Sequence, residues 1–283
     1  MNSRSPLPSL ARGFLLVSLG SSTAYSAVVD FTAGENYIAG SLDKDTPGQS
    51  QAWDFTSSTN SNRFIVNPPG LTLTNANSGQ AVYQTPQDYG QGSITTYIDF
   101  AFSQTAGSAT TAANVNVVGV QYLQNPTSDN LNSMVAVFGR SSVSATPYRL
   151  TMGGVTAVSF DETNLGINFA GNDLTSDPLR LSVTITRLAT MDMWTRTTTL
   201  TNLTTSATVA QIVSGGFTSF STSSVPSVWT DSTLYASMQN YAAAATQLDA
   251  LSIRSFGVIQ VPEPRVLTSL GAGALLLLKR RRR

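Results

Sequence analysis

Hydrophobic and polar residues alternate one by one along much of the chain. From Leu179 to Thr186 every second residue is leucine, valine or isoleucine, and the residues between them are arginine, serine or threonine. The stretch from Ile94 to Phe102 follows the same pattern, with Thr96 as a polar member of the apolar series. A period of two places successive side chains on opposite faces of a strand. The pattern therefore predicts antiparallel strands with one buried face and one solvated face.

Shorter strands are predicted throughout the central region, at residues 53–55, 64–66, 71–73, 81–84, 115–122, 134–139, 191–200, 209–213, 234–238 and 248–256. Turn sequences separate them, chiefly Asn67-Pro68-Pro69-Gly70, Ser78-Gly79 and Ser214-Gly215-Gly216. Residues 148–152 and 155–160 flank Gly153 and Gly154. Because glycine accepts the positive φ of a two-residue turn, this segment predicts a hairpin. Helical periodicity is confined to residues 241–245, about one turn.

Many short strands rich in threonine, serine, asparagine and glycine predict an all-β fold. We expect one antiparallel β-sandwich domain over residues 27–260, in its simplest form a jelly roll. A β-solenoid or propeller is the alternative, but no repeat at fixed spacing supports it. The closing strand from Leu248 to Ile253, after a hairpin-rich middle, resembles those of concanavalin A-like (laminin G-like) sandwiches. This resemblance implies the concanavalin A-like form of the jelly roll.

The N-terminal segment, residues 1–26, has the layout of a secretory signal peptide. Arg4 and Arg12 form a positive region, and an apolar run at residues 13–19 follows. This run is too short to span a bilayer, and small residues suited to cleavage come after it. A buried amphipathic helix is the alternative. The layout predicts export.

The C-terminal segment, residues 261–283, combines a proline-flanked acidic residue, an apolar run and a basic end. Pro262, Glu263 and Pro264 stop any strand from continuing into the tail. Residues 266–278, as a helix of about 20 Å, fall short of the ~30 Å hydrocarbon core. The basic end consists of Lys279, Arg280, Arg281, Arg282 and Arg283. Such a segment is expected to hold an exported chain in the membrane transiently, basic end inside. A simple anchor is the alternative, and a nucleic-acid patch fits poorly after an apolar run.

The order Pro262-Glu263-Pro264, apolar segment, arginine-rich end resembles the PEP-CTERM sorting signal of Gram-negative bacteria. The resemblance covers only residues 261–283. It implies recognition by an exosortase, a transpeptidase-like membrane enzyme, and cleavage near the Pro-Glu-Pro sequence. It also implies delivery to the cell surface or the exopolysaccharide matrix, and leaves open what the sorted domain does there.

The chain contains no histidine and no cysteine. This excludes Ser-His-Asp triads, histidine-liganded metals, thiol nucleophiles, iron–sulfur clusters and disulfides. Cleavage of glycosidic bonds by paired carboxylates is the main catalytic option left. Nucleotide-cofactor motifs are also absent, so we expect no cofactor other than the calcium ion considered below.

The formal net charge of zero is an average over unlike segments. Residues 27–261 contain eight basic and fifteen acidic residues, so the central region is acidic, at about −7, while both ends are basic. An acidic surface disfavours binding to nucleic acid. We therefore expect no nucleic-acid partner.

Two groups of residues are candidates for binding. Asp43 and Asp45, with Gly48 and Asp54, partly match the spacing of an EF-hand calcium loop, although Pro47 replaces a ligand and no helices flank it. The favoured alternative is a Pro-Gly turn with solvated carboxylates. Among the tryptophans, Trp194 is the best candidate to stack on a sugar, because its neighbours Asp192, Thr195 and Arg196 are polar. Trp53 and Trp229 could do the same, and core packing is the alternative for all three tryptophans.

Asp161 and Glu162 follow an apolar strand and are the clearest adjacent carboxylates of the central region. Neighbouring residues of a strand point to opposite faces, so we interpret this pair as an edge turn rather than a catalytic pair. The sequence predicts a non-catalytic structural or adhesive sandwich that binds polysaccharide. The alternative is a carboxylate-dependent glycan-cleaving enzyme of concanavalin A-like fold, which would need two carboxyl groups facing each other across a deep cleft.

Overall fold

β-Strands make up nearly all regular structure of the central region. The computed structural model describes residues 25–55, 63–73, 78–88, 92–105, 114–123, 135–143, 145–153, 157–170, 173–187, 194–217, 233–241 and 250–261. Within these ranges the helical elements are two 3-10 turns, Ala33–Glu35 and Thr163–Leu165. Over the same ranges, no helix has the length and apolar character needed to cross a bilayer.

Nineteen strands follow one another within the described ranges. In order they are β1 (Tyr25–Val29), β2 (Gly40–Ser41), β3 (Trp53–Phe55), β4 (Phe64–Val66), β5 (Leu71–Leu73), β6 (Gly79–Tyr83), β7 (Gln87–Asp88), β8 (Ser93–Thr105), β9 (Val115–Leu123), β10 (Val135–Arg140), β11 (Tyr148–Met152), β12 (Val158–Phe160), β13 (Asn168–Ala170), β14 (Asp173–Thr175), β15 (Leu179–Arg187), β16 (Trp194–Asn202), β17 (Ala207–Phe217), β18 (Thr233–Asn240) and β19 (Ala250–Val261). The strands predicted from the sequence are confirmed with small shifts at their ends. β1, β2, β7, β13 and β14 were not predicted.

The strands form two antiparallel sheets, which we call sheet A and sheet B. Sheet A has the order β17-β16-β15-β8-β19-β5-β4-β2, with β1 paired to β19 and the β13–β14 hairpin paired to β8. Sheet B has the order β12-β11-β10-β9-β18-β6-β3, with β7 paired to β18. Several paired strands, among them β8 with β19 and β9 with β18, are distant in sequence, as in a Greek-key arrangement. The predicted all-β antiparallel sandwich is confirmed.

The core lies between the two sheets and is rich in aromatic rings. On β8, Phe100 and Phe102 are almost completely buried and face Phe138 of sheet B, with ring centroids 5.4 Å apart in both pairs. Tyr148 of β11 packs on Phe138 at 5.8 Å. Burial of large apolar side chains supplies most of the favourable free energy of folding. In a chain without disulfides this core must stabilise the domain.

The predicted hairpin is confirmed by the antiparallel pairing of β11 with β12, but its register and one predicted strand end are wrong. In the predicted hairpin, Tyr148 pairs with Phe160 and Leu150 with Val158, a register centred on residue 154. A two-residue Gly153-Gly154 turn would instead have paired Leu150 with Ala157, so the register differs from the predicted one by one residue. Gly215 and Gly216 were predicted to end a strand but lie inside β17. The pairing of β17 with β16 has an irregular register at this point, which accommodates the two glycines.

The expected junction between signal peptide and domain falls inside a strand. β1 begins at Tyr25 and pairs with β19, so that Tyr25 lies opposite Gln260 and Ala27 opposite Val258. Cleavage after Ser26 would keep the pairing of Ala27 and the two valines that follow. The cleavage site and the domain limits stay predictions, and residues 1–24 and 262–283 lie outside the described ranges.

Candidate functional site

The outward face of sheet B carries a group of polar side chains, with the buried valines Val82, Val135 and Val137 between them. Along β11, the core residues Tyr148, Leu150 and Met152 are fully buried, so Arg149 and Thr151 between them point away from the core. On β9, Tyr122 belongs to the core and Gln121 points outward by the same alternation. We call this surface the polar face, and its side chains are Gln80, Asn116, Gln121, Arg149, Thr151, Ser237, Gln239 and Tyr241.

Strand pairing places these residues in rows across five strands. Ser237 of β18 lies opposite Gln121 of β9. In a second row, Gly119 of β9 lies between Gln239 and Val137, and Val137 lies opposite Thr151. The neighbours in each row are 4.7–4.9 Å apart, as in any sheet, so one extended ligand can contact several rows.

Glycine at position 139 lets a hydrogen bond cross a whole strand. Gly139 of β10 lies between Arg149 and Asn116, and Arg149 Nη2 donates to Asn116 Oδ1 at 2.8 Å. A β-carbon at Gly139 would overlap the carbonyl oxygen of Val115. The bulge between Phe138 and Gly139 creates this close approach of β9 and β10.

Two further hydrogen bonds fix side chains of the polar face. The Tyr241 hydroxyl donates to Gln239 Oε1 at 2.7 Å, and Gln80 Nε2 donates to Ser237 Oγ at 2.9 Å. The Tyr241 ring lies beside Gly119, where a β-carbon would be 3.4 Å from Tyr241 Cε2. Burial raises the pKa of Tyr241, so its hydroxyl keeps its proton and remains a donor. The Tyr241 ring is therefore held beside the backbone of Gly119, which has no side chain.

Three buried polar atoms of the polar face have no hydrogen-bond partner, namely Gln121 Nε2, Arg149 Nε and Thr151 Oγ1. Gln121 is only 2% exposed. A buried donor left without a partner costs about 1–3 kcal/mol, and a ligand recovers this free energy only where the side chain can turn toward it. The same face thus has fixed side chains and unused donors, a combination suited to binding.

The outer face of sheet A provides a contrast, because its polar groups satisfy one another. Arg180 forms a bidentate ion pair with Asp99, with N–O distances of 2.7 and 2.8 Å, and Ser255 Oγ donates to Asp99 at 2.9 Å. The Arg180 guanidinium also lies 3.8 Å from the centroid of the Tyr97 ring. The hydrogen bonds that Arg180 donates to Asp99 raise the pKa of Arg180. Because these groups already have partners, a ligand would add fewer new hydrogen bonds on this face than on the polar face.

Asp161 and Glu162 form the turn after β12, the edge strand of sheet B, as predicted. Both nevertheless border one cavity of about 360 Å³, which is lined by Ala145, Pro147, Asp161, Glu162, Thr163, Gly166 and Ile167. Adjacent residues point to opposite faces only within a strand. Because β12 ends at Phe160, Asp161 and Glu162 lie beyond the strand and can border the same cavity. Asp161 Oδ1 accepts the backbone N–H of Thr163 at 3.1 Å. Below this turn, burial raises the pKa of Tyr148 to about 12.

The candidate calcium ligands lie in a closed turn. Asp43 Oδ1 accepts the backbone N–H of Asp45 at 3.1 Å, and the Asp43 carbonyl accepts that of Thr46 at 2.9 Å. Asp54 lies on β3 and forms an ion pair with Lys44, which raises the pKa of Lys44. Across the described ranges, no three acidic side chains come together in a way that could hold a metal ion. Binding of Ca²⁺ by Asp43 and Asp45 stays a prediction.

We expect millimolar Ca²⁺ to leave the melting temperature of the chain unchanged, because Lys44 neutralises Asp54 and Asp43 is engaged by the turn. A ligand that binds only the folded state would raise the melting temperature. Differential scanning calorimetry with Ca²⁺ and with EDTA measures this. A rise that grows with Ca²⁺ concentration and disappears in Asp43→Asn would contradict the expectation and establish the site.

The remaining sequence candidates are only partly placed. Trp53 is completely buried in the core, and Trp194 begins β16 opposite Arg187, although its side chain lies outside the described part. Trp229, the sorting motif of Pro262, Glu263 and Pro264, and the basic tail lie outside the described ranges. Arg196, expected as a polar neighbour of Trp194, is 3% exposed and donates to the Gly153 carbonyl at 3.1 Å. Burial lowers its pKa to about 10.

The sequence interpretation did not identify the polar face. Within Tyr148–Met152 the alternation alone could have placed Arg149 and Thr151 on one outward face. The pairing of β9 with β18, strands more than a hundred residues apart in the chain, could not be read from any local pattern. That pairing brings Gln121 beside Ser237.

No protein-family model matches this sequence, and no curated protein matches it either. Among solved structures, the chain is similar to peanut lectin with a nine-residue peptide, at 11% identity, covering 84% of this chain and 98% of that one, with a TM-score of 0.46. It is similar to lectin I from Ulex europaeus in complex with the methyl glycoside of α-L-fucose, at 11% identity, 83% and 97% coverage and a TM-score of 0.44. The exoplasmic/lumenal domain of VIP36 in its Ca²⁺/mannose-bound form gives 8% identity, 83% and 89% coverage and a TM-score of 0.46. Similarity at this level carries no argument about the ligand or activity of this chain, so the function must be argued from its own residues.

Proposed function

We propose that the chain is a non-catalytic polysaccharide-binding protein that is exported and sorted to the cell surface or the exopolysaccharide matrix. The observation that carries the binding role is the set of three unpartnered, buried polar atoms on the polar face. The acidic charge of residues 27–261 adds to this role only by disfavouring nucleic acid as the ligand.

The chemistry of the polar face fits a sugar chain. Its amide, hydroxyl and guanidinium groups can exchange hydrogen bonds with sugar hydroxyls, which both donate and accept. The half-buried Tyr241 ring, fixed by Gln239, offers an apolar surface to the C–H side of a sugar ring. Rows of such groups on a rigid sheet suit an extended, repetitive ligand better than a small compact one.

Substitution of Gln121 tests the binding role. We expect Gln121→Leu to weaken polysaccharide binding about tenfold, since a lost hydrogen bond of about 1.4 kcal/mol corresponds to that factor. The melting temperature should stay unchanged or rise, because the substitution removes a buried amide nitrogen without a partner. Electrophoresis of the full chain through gels containing dextran, hydroxyethylcellulose, polygalacturonate or alginate measures the retardation.

The matched control is Gln211→Leu, the same substitution at an exposed position of β17 in sheet A. It should leave retardation as in the wild type. Equal retardation of both variants and the wild type, or no retardation of the wild type in any of the gels, would overturn the proposed binding site.

The non-catalytic part of the proposal has a specific rival in the cavity beside Asp161 and Glu162. Supporting the non-catalytic role, Asp161 is engaged by the backbone of Thr163 and the two carboxylates are adjacent in one turn rather than on facing walls. Release of reducing ends from any of the four polysaccharides, abolished by Glu162→Gln, would establish the enzymatic alternative instead.

The sorting part rests on the terminal sequences. A positive, short apolar N-terminal segment supports export, and Pro262-Glu263-Pro264 with its apolar run and basic end supports processing by an exosortase-type enzyme. Before processing, the C-terminal segment would hold the chain at the inner membrane. Mass spectrometry of the surface-exposed protein should find a C-terminus near Pro262, and an intact Arg283 end on that protein would contradict processing.

A further inference from the structure

Arg149 is a charged group of the polar face without a counter-ion. Its Nη2 donates to the neutral amide of Asn116, and its Nε has no partner. In the part of the chain that the structure describes, the ion pairs are Lys44–Asp54 and Arg180–Asp99, and neither involves Arg149. Burial lowers the pKa of Arg149, the opposite of the shift that Asp99 causes at Arg180. Arg149 is thus a half-buried, unneutralised cation.

Several features hold this cation at the surface where the proposed ligand lies. Gly139 leaves room for the guanidinium to cross β10, and Asn116 fixes one of its nitrogens. Thr151, the next outward residue of β11, has an unpartnered hydroxyl beside it. A guanidinium whose orientation is already fixed loses little entropy on binding, so more of its interaction energy contributes to affinity.

The acidic charge of the surrounding domain makes a fixed cation the favoured place for an anionic group to bind. Residues 27–261 carry a net charge of about −7, which by itself repels anionic ligands. Two described carboxylates on or beside sheet B are already engaged. Asp54 of β3 is neutralised by Lys44, and Asp161, which follows β12 beside β11, accepts the backbone N–H of Thr163.

We propose that the polar face prefers acidic polysaccharides, and that Arg149 determines this preference by binding the carboxylate of a uronic-acid residue through the exposed part of its guanidinium. The inference rests on the proposed polysaccharide-binding function and adds the class of ligand. A planar carboxylate matches the guanidinium geometry, and a charge-assisted hydrogen bond is about twice as strong as a neutral one.

The test compares polymers that differ only in their carboxyl groups. Polygalacturonate and alginate are measured beside their carboxyl-reduced, neutral forms, with the full chain and by isothermal titration calorimetry. We expect the wild type to bind at least one acidic polymer about tenfold or more tightly than its reduced form. The preference should shrink as salt concentration rises, since partly exposed charges are screened.

Variants identify the residue responsible. R149Q should abolish the preference for acidic polymers while keeping the affinity for the reduced ones. R149K should retain part of the preference, because lysine keeps the positive charge but lacks the planar, two-pronged donor geometry of the guanidinium. R254Q removes the same charge from an exposed position of β19 and should retain the full preference. Thermal melts of each variant show that it is folded.

The outcomes separate this inference from the function on which it rests. Equal affinity of the wild type for acidic and reduced polymers overturns the role of Arg149 and leaves polysaccharide binding intact. A preference that R149Q retains, or that R254Q also loses, overturns it as well. If the wild type binds neither form of either polymer, or Gln121→Leu binds all of them as the wild type does, the proposed function itself fails.

Discussion

Replacing Trp53 with alanine should cost about 3–5 kcal/mol of unfolding free energy, a large part of the about 5–15 kcal/mol typical of a folded domain. Trp53 is completely buried in sheet B and contacts Phe256 of sheet A, with ring centroids 4.8 Å apart. It also packs on Tyr83 at 5.3 Å, and its Nε1 donates to the Tyr37 hydroxyl at 2.9 Å. The substitution would leave a cavity between the sheets and an interior hydroxyl with one partner fewer.

Urea unfolding followed by circular dichroism measures this loss. Trp53→Phe keeps a ring in contact with Phe256 and should lose less stability than Trp53→Ala. Val213→Ala, at a side chain that is 62% exposed on β17, should change the unfolding free energy by less than about 0.5 kcal/mol. A loss below about 1 kcal/mol for Trp53→Ala would contradict the role of this residue in joining the sheets.

Gly139→Ala should be the most damaging small substitution in sheet B, at about 2–3 kcal/mol. The added β-carbon would overlap the carbonyl oxygen of Val115, a backbone atom that cannot rotate away. Relief requires β9 and β10 to separate at their bulge, which strains the Arg149–Asn116 hydrogen bond above it. We therefore expect weaker polysaccharide binding together with the loss of stability.

Gly119→Ala is the matched control for this prediction. It adds the same methyl group to β9, where the closest atom, the Ala136 carbonyl oxygen, would be 3.1 Å from the new carbon. A shift of a few tenths of an ångström accommodates this contact, so the cost should be about 1 kcal/mol or less. Equal unfolding free energies for the two variants, measured in urea, would show that the close approach at Gly139 is unimportant.

The strands could be predicted because their signal is local. Alternation along Leu179–Arg187 follows directly from one face packing on the core, and the structure buries Leu179, Leu181 and Val183 as that pattern requires. The turn at Asn67 to Gly70 is similarly local, closed by the Asn67 N–H donating to the Gly70 carbonyl at 3.0 Å. Where one face is buried and the other solvated, a sequence of ordinary composition carries this information.

The strands that were missed lack such a signal. β2, β7, β13 and β14 have two or three residues with at most one large apolar side chain each, whereas the equally short β3, β4 and β5 have at least two each. β1 lies at the end of a segment that composition assigned to the signal peptide, and it is a strand because β19 offers a partner. Gly215 and Gly216 were expected to end the strand, but they lie within β17 at an irregularity of its register with β16, a place where glycine is common.

The polar face could not be predicted because it depends on strand order. Gln121 of β9 and Arg149 of β11 are connected through the consecutive strand β10, but Tyr241 follows β18, whose pairing with β9 is non-local. The sequence interpretation looked for tryptophans and paired carboxylates, the residues with the strongest chemical signal, whereas the unpartnered atoms belong to glutamine, threonine and arginine. Only the structure shows which polar groups have found a partner.

The polar face as the site of polysaccharide binding is tested most directly by hydroxyl-radical footprinting of the full chain with and without a saturating polysaccharide. We expect Tyr241 and the neighbouring Gln239 to be protected in the complex, while exposed Val213 of sheet A keeps its oxidation rate. Protection of Val213 with Tyr241 unchanged, or no protection of Tyr241 by any polysaccharide that the chain binds, would contradict this assignment.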